Sequence, residues 1–400
     1  MKLCSEYTET ILKNNKKFIQ ISGDYRFANI HVLVNIGVNT DPCKKKGISH
    51  LCEHIFLETI TNLYSSTIID KNFSCMGYTD YHYTIFKFRL SNTEKHISYL
   101  LKLLNKHING FCIKFKDFEK CKKDVINECM TRKEDIRYSL KVNKFLTENK
   151  IDYVPMGRIN DIDSLTIEDI QEHYKQYIYN TNFIIFCDSS IPKLSCYNFI
   201  KEYNKINNIK DNMCKNIGNN KLLYINSRYD PQLKIYFKQN NKIFSEKEKV
   251  IIYMLEIILN YKICDLFDIN KRKLSPIFFR KKIIDNNNIF YVLCINRYNE
   301  IQTYEVKKLV DYIVNMLITD MDIEKAKYMF NSLIEEIDDI NESYTYSNVF
   351  HYLIHNELLA ITKQQIDILT NMIKHINLKE VCKIHRYIYG SEYKIVINNR

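Results

Sequence analysis

The run His50-Leu51-Cys52-Glu53-His54 makes chemical sense on only one kind of backbone. On an α-helix the two histidines, four residues apart, project from successive turns of one face and can grip a single metal ion. Glu53 follows the first histidine by three residues and precedes the second by one, which leaves its carboxylate beside that ion rather than behind it. The order H-x-x-E-H is the reverse of H-E-x-x-H and is a signature of zinc peptidases. A metal ion and a carboxylate base placed together activate water for hydrolysis at neutral pH. With 11 His in 400 residues, the five-residue pattern arises by chance on the order of once in a hundred such chains, so its surroundings have to decide.

Hydrophobic residues make up 46% of the chain and charged residues 26%, a globular balance with ample material for real cores. Four hundred residues suffice for about two to three ordinary domains. With only Gly 8 and Pro 5, tight turns are few and Asn takes over much of the turn work. The net charge of +11 would suit an anionic partner. Its lysines, however, are scattered among acidic residues, and the densest clusters, Lys44-Lys45-Lys46 and Lys271-Arg272-Lys273, are short. That pattern reads as a solvated surface, and no nucleic-acid-binding module accompanies it. The 13 cysteines have no framework spacing and no C-x-x-C pair. The first residues carry no apolar leader, and no stretch reaches about 18 uninterrupted apolar residues. These features predict free thiols, no integral membrane segment and a reducing intracellular compartment, the cytoplasm or, as the alternative, a mitochondrion-related matrix.

Along the chain, Lys17 to Ile21 and Ala28 to Gly37 read as strands, the second alternating as a half-buried strand does. Asp41-Pro42 marks a turn, and Ser49 is placed to cap the helix that carries the motif. Tyr81 to Leu90 reads as another strand. Helices follow over Thr93 to Lys106 and over Phe115 to Leu146, the latter with a break expected near Arg137 to Ser139. Thr166 to Asp169 has the form of a capping box and opens a helix through Tyr177, and Asn182 to Cys187 is an apolar strand. The Asn-rich stretch from Tyr203 to Lys221 is the best linker. Beyond it the plan recurs: a strand near Leu233 to Lys238, a helix from Glu246 to Phe267, and a strand from Ile289 to Ile295. Helices then run from Glu305 to Ile318, Ile323 to Ile340, around Ser347 to Leu359 and after Thr362, before a closing strand at Tyr393 to Asn398. The second copy lacks the H-x-x-E-H. The expected fold class is α+β, with two similar units and one active site. The expected domains are 1–202, a linker at 203–221, and 222–400.

Catalytic zinc commonly takes three protein ligands plus water, so two histidines need one more partner. Glu119, Asp124, Glu128, Glu134 and Asp135 on the long helical stretch are the candidates, and spacing alone does not choose among them. A resemblance does. Gly47-Ile48-Ser49-His50-Leu51-Cys52-Glu53-His54-Ile55-Phe56 resembles the G-[IV]-[AS]-H-x-x-E-H-[ML]-x-F of the M16 metallopeptidases, the insulinase, pitrilysin and mitochondrial processing peptidase family. Asp124-Val125-Ile126-Asn127-Glu128-Cys129-Met130 is similar to that family's V-[IL]-x-E-[IM] segment. Pro155-Met156-Gly157-Arg158, Ile162-Asp163-Ser164-Leu165-Thr166 and His173-Tyr174 are similar to a third ordered region. In the second half only Ile323-Glu324-Lys325-Ala326-Lys327 carries a likeness.

The resemblance implies two homologous domains, each a mainly antiparallel sheet packed by helices on one side, the first holding Zn²⁺. It implies His50, His54 and Glu128 as ligands, Glu53 as general base, and Met76, Gly77, Tyr78 and Thr79 as the strand that binds substrate by edge pairing. The implied activity is a zinc-dependent endopeptidase acting on peptides or precursor proteins, processing-peptidase-like and paired as a homodimer or with a second M16 subunit. The alternative is a non-catalytic scaffold or core-type subunit of the same fold. Three departures bear on the choice. Met76-Gly77 stand where the family carries Asn-Ala, and Cys121 replaces an acid seven residues before Glu128. Leu266 to Phe278 lacks the substrate-contacting tyrosine and has at best a displaced Arg272.

Overall fold

The computed structural model describes residues 6–11, 17–110, 113–178, 183–191, 194, 222–226, 232–239, 244–267, 277–285, 288–296, 303–336 and 363–399. Contacts divide the chain into two compact units, one of residues 2–140 and 151–215, the other of 141–150 and 216–400. The expected linker and the helix around Ser347 to Leu359 lie outside the described residues, as does most of Leu266 to Phe278.

The first unit is built on a six-stranded sheet of β1 (Glu6–Ile11), β2 (Lys17–Ser22), β3 (Phe27–Val34), β4 (Ser74–Thr79), β5 (Thr84–Ser91) and β6 (Phe183–Ser189), in the order β1-β2-β6-β3-β5-β4. Every neighbouring pair is antiparallel except β2 and β6. The second unit has five strands, β7 (Leu222–Asn226), β8 (Gln232–Gln239), β9 (Ile277–Asp285), β10 (Asn288–Asn296) and β11 (Tyr393–Asn399), in the order β7-β11-β8-β10-β9. Its single parallel pair is β7 with β11. Leaving β1 aside, the two orders correspond strand for strand along the chain, which is the repeat that the sequence pattern predicts. The mixed α+β class with mainly antiparallel sheets is as expected.

Helix α1 (Ile48–Thr67) runs through the middle of the first unit. Phe56, Ile60 and Tyr64, spaced by four, pack on Val32, Val34, Phe86 and Phe88 of the sheet. Ile48, Leu51, Cys52 and Ile55 pack on Phe118, Val125 and Cys129 of α3 (Phe115–Thr131), and on Ile162 and Ile170 of α5 (Ile159–Asp163) and α6 (Ile167–His173). Each fully buried aromatic or branched side chain contributes about 1.5–3 kcal/mol. Two apolar stripes thus fix the helix in both rotation and translation, and the remaining stripe carries the motif. Helix α2 (Glu94–Asn109) covers the same sheet through Ile97, Leu100, Leu101 and Leu104, its first turn capped by Thr93.

Several expectations need adjusting. The long helical stretch breaks at Arg132, not near Arg137 to Ser139: α3 ends there and α4 (Lys133–Leu146) begins. Arg132 has φ −98 and ψ 22, off the helical basin, while the anticipated break site lies inside α4, where Glu134 and Arg137 form an i,i+3 pair. Tyr81 to Tyr83 belong to the β4–β5 turn, closed by Asp80 N–H donating to the Tyr83 carbonyl. The capping box at Thr166 and Asp169 is present as read. In the second unit, α7 (Glu246–Phe267), α8 (Thr303–Val314), α9 (Asp320–Glu336), α10 (Lys363–Lys374) and α11 (Leu378–Tyr389) complete the described helices. The end of α4 belongs here: Asn143 is fully buried and accepts from Lys282 Nζ at 3.2 Å. The ammonium of buried Lys394, on β11, donates to the carbonyls of Phe145 (3.0 Å) and Leu146 (3.2 Å). Among the described residues, no helix is long and apolar enough to cross a membrane.

Candidate metal and active site

The start of α1 is built from three separated pieces of sequence. Gly47 has φ 106, and Gly157, with φ 81, crosses it so closely that a Cβ on Gly157 would sit 2.3 Å from Gly47 Cα. Only residues without side chains permit that crossing, which lays the 155–158 loop on the helix start, where Arg158 N–H donates to the Lys46 carbonyl (3.1 Å). Ser49 is not the cap. Instead Asp41, from the preceding turn, accepts from Gly47 N–H (2.7 Å) and Ser49 N–H (3.2 Å), and Ser49 Oγ also donates to it. A carboxylate at the positive end of the helix satisfies donors that the helix itself cannot. Ser49 Oγ also meets His173 Nε2 at 3.1 Å, so buried Asp41, Ser49 and His173 form one chain. Burial pushes the Asp41 carboxyl up to about 7, against the pull of its bonds to Ser49 and Gly47 and of the Lys46 charge. Burial also drags His173 down to about 3, helped by Lys45, which keeps it neutral.

On the open stripe of α1 the two imidazoles meet edge to face, with centroids 4.8 Å apart. Glu128 Oε2, on α3, lies 3.5 Å from His50 Nε2 and 3.4 Å from His54 Nε2. A tetrahedral zinc with bonds of about 2.0–2.1 Å has ligand-to-ligand edges of about 3.3–3.4 Å, and both separations from Glu128 Oε2 match such an edge. Burial pulls His50 down to about 4, leaving the neutral imidazole that a metal requires. For His54 burial works in the same direction, but the hydrogen bond and charge of Glu128, with Glu53 and Asp124, outweigh it and raise the ring. Glu128 is held down to about 2, first by its bond to His54. Arg132 Nη1 approaches Glu128 Oε1 at 3.3 Å, leaving Oε2 to face the histidines.

Glu53 is the other carboxylate within reach. Donor atoms of His50, Glu53 and His54 lie within 4.8 Å of one another, so Glu53 shares the cluster with the two imidazoles. Its Oε2 accepts from Thr79 Oγ1 at 2.7 Å. Glu128, facing both imidazoles through Oε2, suits the third ligand position, and Glu53, with Oε2 already bonded to Thr79, suits a place beside it. Burial pushes Glu53 up to about 7, opposed by the Thr79 bond and the His54 charge, and a base poised near neutrality can both take and return a proton.

Of the five acids left open by spacing, Glu128 alone meets both histidines. Glu119 is exposed, Asp124 acts on His54 only through its charge, and Glu134 and Asp135 pair with Arg137 and Arg132. Cys121 lies in the apolar contact between α1 and α3, and burial with the Glu58 charge pushes its thiol up to about 12. Met76 (61% exposed) and Tyr78 (52%) stand on the open side of β4, whereas Gly77 and Thr79 face Glu53. Asp41, Thr79 as a partner of Glu53, and Arg132 went unread in the sequence. The one available signal was the alternation of β4, which puts 77 and 79 on a common side.

Residues 19–156 match the family described as Insulinase (Peptidase family M16). Over 387 residues, 90% of this chain and 86% of the relative, it is 18% identical to the zinc protease PqqE of Helicobacter pylori. The fold is shared with the periplasmic protease PqqL of Escherichia coli, at TM-score 0.76 and 12% identity over 100% of this chain and 48% of that one. It is also shared with a peptidase M16 inactive domain from Pseudomonas fluorescens, at TM-score 0.68 and 10% identity over 98% of this chain and 97% of that one. The matched region contains both halves of the candidate site, the α1 motif and the α3 glutamate, so the likeness to the insulinase family, peptidase family M16, falls on the site itself, on a fold shared with M16 proteases.

Proposed function

We propose that this chain is a zinc-dependent endopeptidase that cleaves peptides or precursor proteins. The observation that carries the reading is Glu128 Oε2 at zinc-edge distance from both His50 Nε2 and His54 Nε2, with the Glu53 carboxylate beside them. His50, His54 and Glu128 would hold the ion. Bound there, zinc supplies Lewis acidity, polarising a scissile carbonyl and making water acidic enough to lose a proton near neutrality. Glu53 receives that proton and hands it to the departing amine, for which its elevated proton affinity is suited. The nearby strand β4 is the end strand of its sheet among the described residues, so its outer main-chain edge is placed to pair with an extended peptide. Met76 and Tyr78 then supply side-chain contacts in place of the family's asparagine.

The first domain, 1–202, is the zinc-binding catalytic one in this reading, and 222–400 is its motif-free homologue, in keeping with the matching strand orders. A second M16 subunit, identical or not, completes a processing-peptidase-like pair. PqqL is about twice the length of this chain, which is consistent with two such halves. The nine described cysteines are all free, which suits a reducing compartment, cytoplasmic or mitochondrion-related.

Native mass spectrometry of the chain from its own source, read for zinc and for a sister subunit, tests the binding half of this reading. Peptide cleavage with Glu53→Gln as control tests the other half. Cleavage lost in Glu53→Gln supports the peptidase; bound zinc with no cleavage, alone or with the partner, supports the non-catalytic scaffold instead.

A further inference from the structure

Strand β4 has two faces with different duties. Residues 75, 77 and 79 alternate onto the side of α1. Cys75 Sγ meets Thr61 Oγ1 at 3.0 Å, Gly77 lies against Glu53, and Thr79 Oγ1 donates to Glu53 Oε2 at 2.7 Å. The two oxygens of Glu53 are thereby located by one strand. Oε2 has the threonine hydroxyl, and Oε1 occupies the gap left by the missing side chain of Gly77, 2.1 Å from where a Cβ would stand.

Thr79 is itself 6% exposed, and its surroundings determine where its proton goes. Two acceptors are available, Glu53 Oε2 and Thr84 Oγ1, the latter at 3.4 Å across the β4–β5 pair. Thr84 is also buried and spends its own proton on the Ile36 carbonyl at 2.7 Å, so it can only accept from Thr79. The shorter contact, to a carboxylate, takes the hydrogen.

We propose that Thr79 is a positioning residue for the Glu53 carboxylate, with Gly77 providing the space beside it, so that β4 fixes the base on its inner face while its outer edge is placed to pair with a peptide. The proposal rests on the peptidase reading for its kinetic consequence, but the seat itself is a property of the metal-free chain. A glutamate with three rotatable bonds and only its helix to anchor it would sample several orientations; one strong bond from a rigid strand selects among them.

The test compares wild type, Thr79→Val, Thr79→Ser and Glu53→Gln. On the metal-free chain, the infrared difference spectrum of wild type minus Glu53→Gln isolates the Glu53 carboxylate stretch. That band is expected to move in Thr79→Val and to return in Thr79→Ser. In the zinc-loaded chain, with its partner subunit where one is required, kcat for Thr79→Val is expected to fall by about 10- to 100-fold, the scale for loss of an orienting hydrogen bond around a metal site. KM and the zinc affinity measured by chelator competition should stay close to wild type, and serine should restore most of kcat. An unmoved carboxylate band in Thr79→Val overturns the proposal, as does a serine variant as impaired as the valine one. If wild type cleaves nothing, the peptidase reading fails, while the infrared comparison still decides on the seat.

Discussion

His173→Gln is a sharp test of how the motif helix is held. The imidazole is 3% exposed, and burial sets its folded value at about 3 against 6.5 in the unfolded chain. Between those values the unfolded state takes up a proton that the folded state refuses, so stability is fully present above pH 6.5 and is lost as pH falls. At pH 5 the difference amounts to about 2 kcal/mol relative to pH 8, a sizeable part of a domain's stability. Glutamine places an amide nitrogen where Nε2 stands and keeps a donor for Ser49 Oγ, but it does not titrate. Asp41, whose folded value is raised to about 7, acts in the opposite direction and gains stability as pH falls; both proteins retain it, so it largely cancels in the comparison. Urea unfolding is readily followed by tyrosine fluorescence in a chain with Tyr 30 and Trp 0. The stability difference between wild type and His173→Gln should shift by about 2 kcal/mol in favour of the variant between pH 8 and pH 5. Equal losses in the two proteins would refute the claim that His173 is buried in its neutral form.

Glu128→Gln should weaken zinc binding by about 100-fold or more, since even outer partners of metal ligands cost 10- to 100-fold; fluorescent chelator competition measures it. Gly157→Ala forces a Cβ to within 2.3–2.4 Å of the Gly47 and Lys46 backbone, where no side chain can yield. A loss of about 3 kcal/mol or more is expected in urea unfolding, or no folded protein at all. Gly77→Ala restores the residue that the family carries, yet here it pushes the Glu53 carboxylate aside by about 1 Å, and cleavage should fall by about 100-fold with zinc content unchanged. An alanine variant as active as wild type would show that Glu53 works from another orientation.

The local parts of this architecture were legible in the residues. The H-x-x-E-H requires a helix, the Thr166–Asp169 box announces one, and the apolar run from Glu246 to Phe267 has the bounds of α7. Glu128 could be singled out only through family resemblance, because a charged helix offers several acids at similar spacing and only packing against α1 decides which one reaches the histidines. The Asp41–Ser49–His173 chain joins positions 124 residues apart, and no periodicity encodes it. The break at Arg132 escaped for a related reason: helix propensity is nearly level across Lys122 to Lys144, so no residue there announces it. Strand β9 was missed because its alternation is blurred by three consecutive basic residues, Arg280 to Lys282.

The Lys394 ammonium and its acceptors at Phe145 and Leu146 are almost 250 residues apart in the chain. This makes the second sheet unfit for separation at the point where the sequence divides. A fragment starting at residue 222 would retain the buried lysine but lose the carbonyls that solvate it, an unpaired charge that a small domain tolerates poorly. During synthesis the 141–150 segment emerges long before β11, so its carbonyls exchange water for the Lys394 ammonium only when that strand arrives. Inheritance of the two units has the same constraint: they can diverge in chemistry, as the missing second motif shows, but neither can be lost or exchanged without leaving part of itself behind.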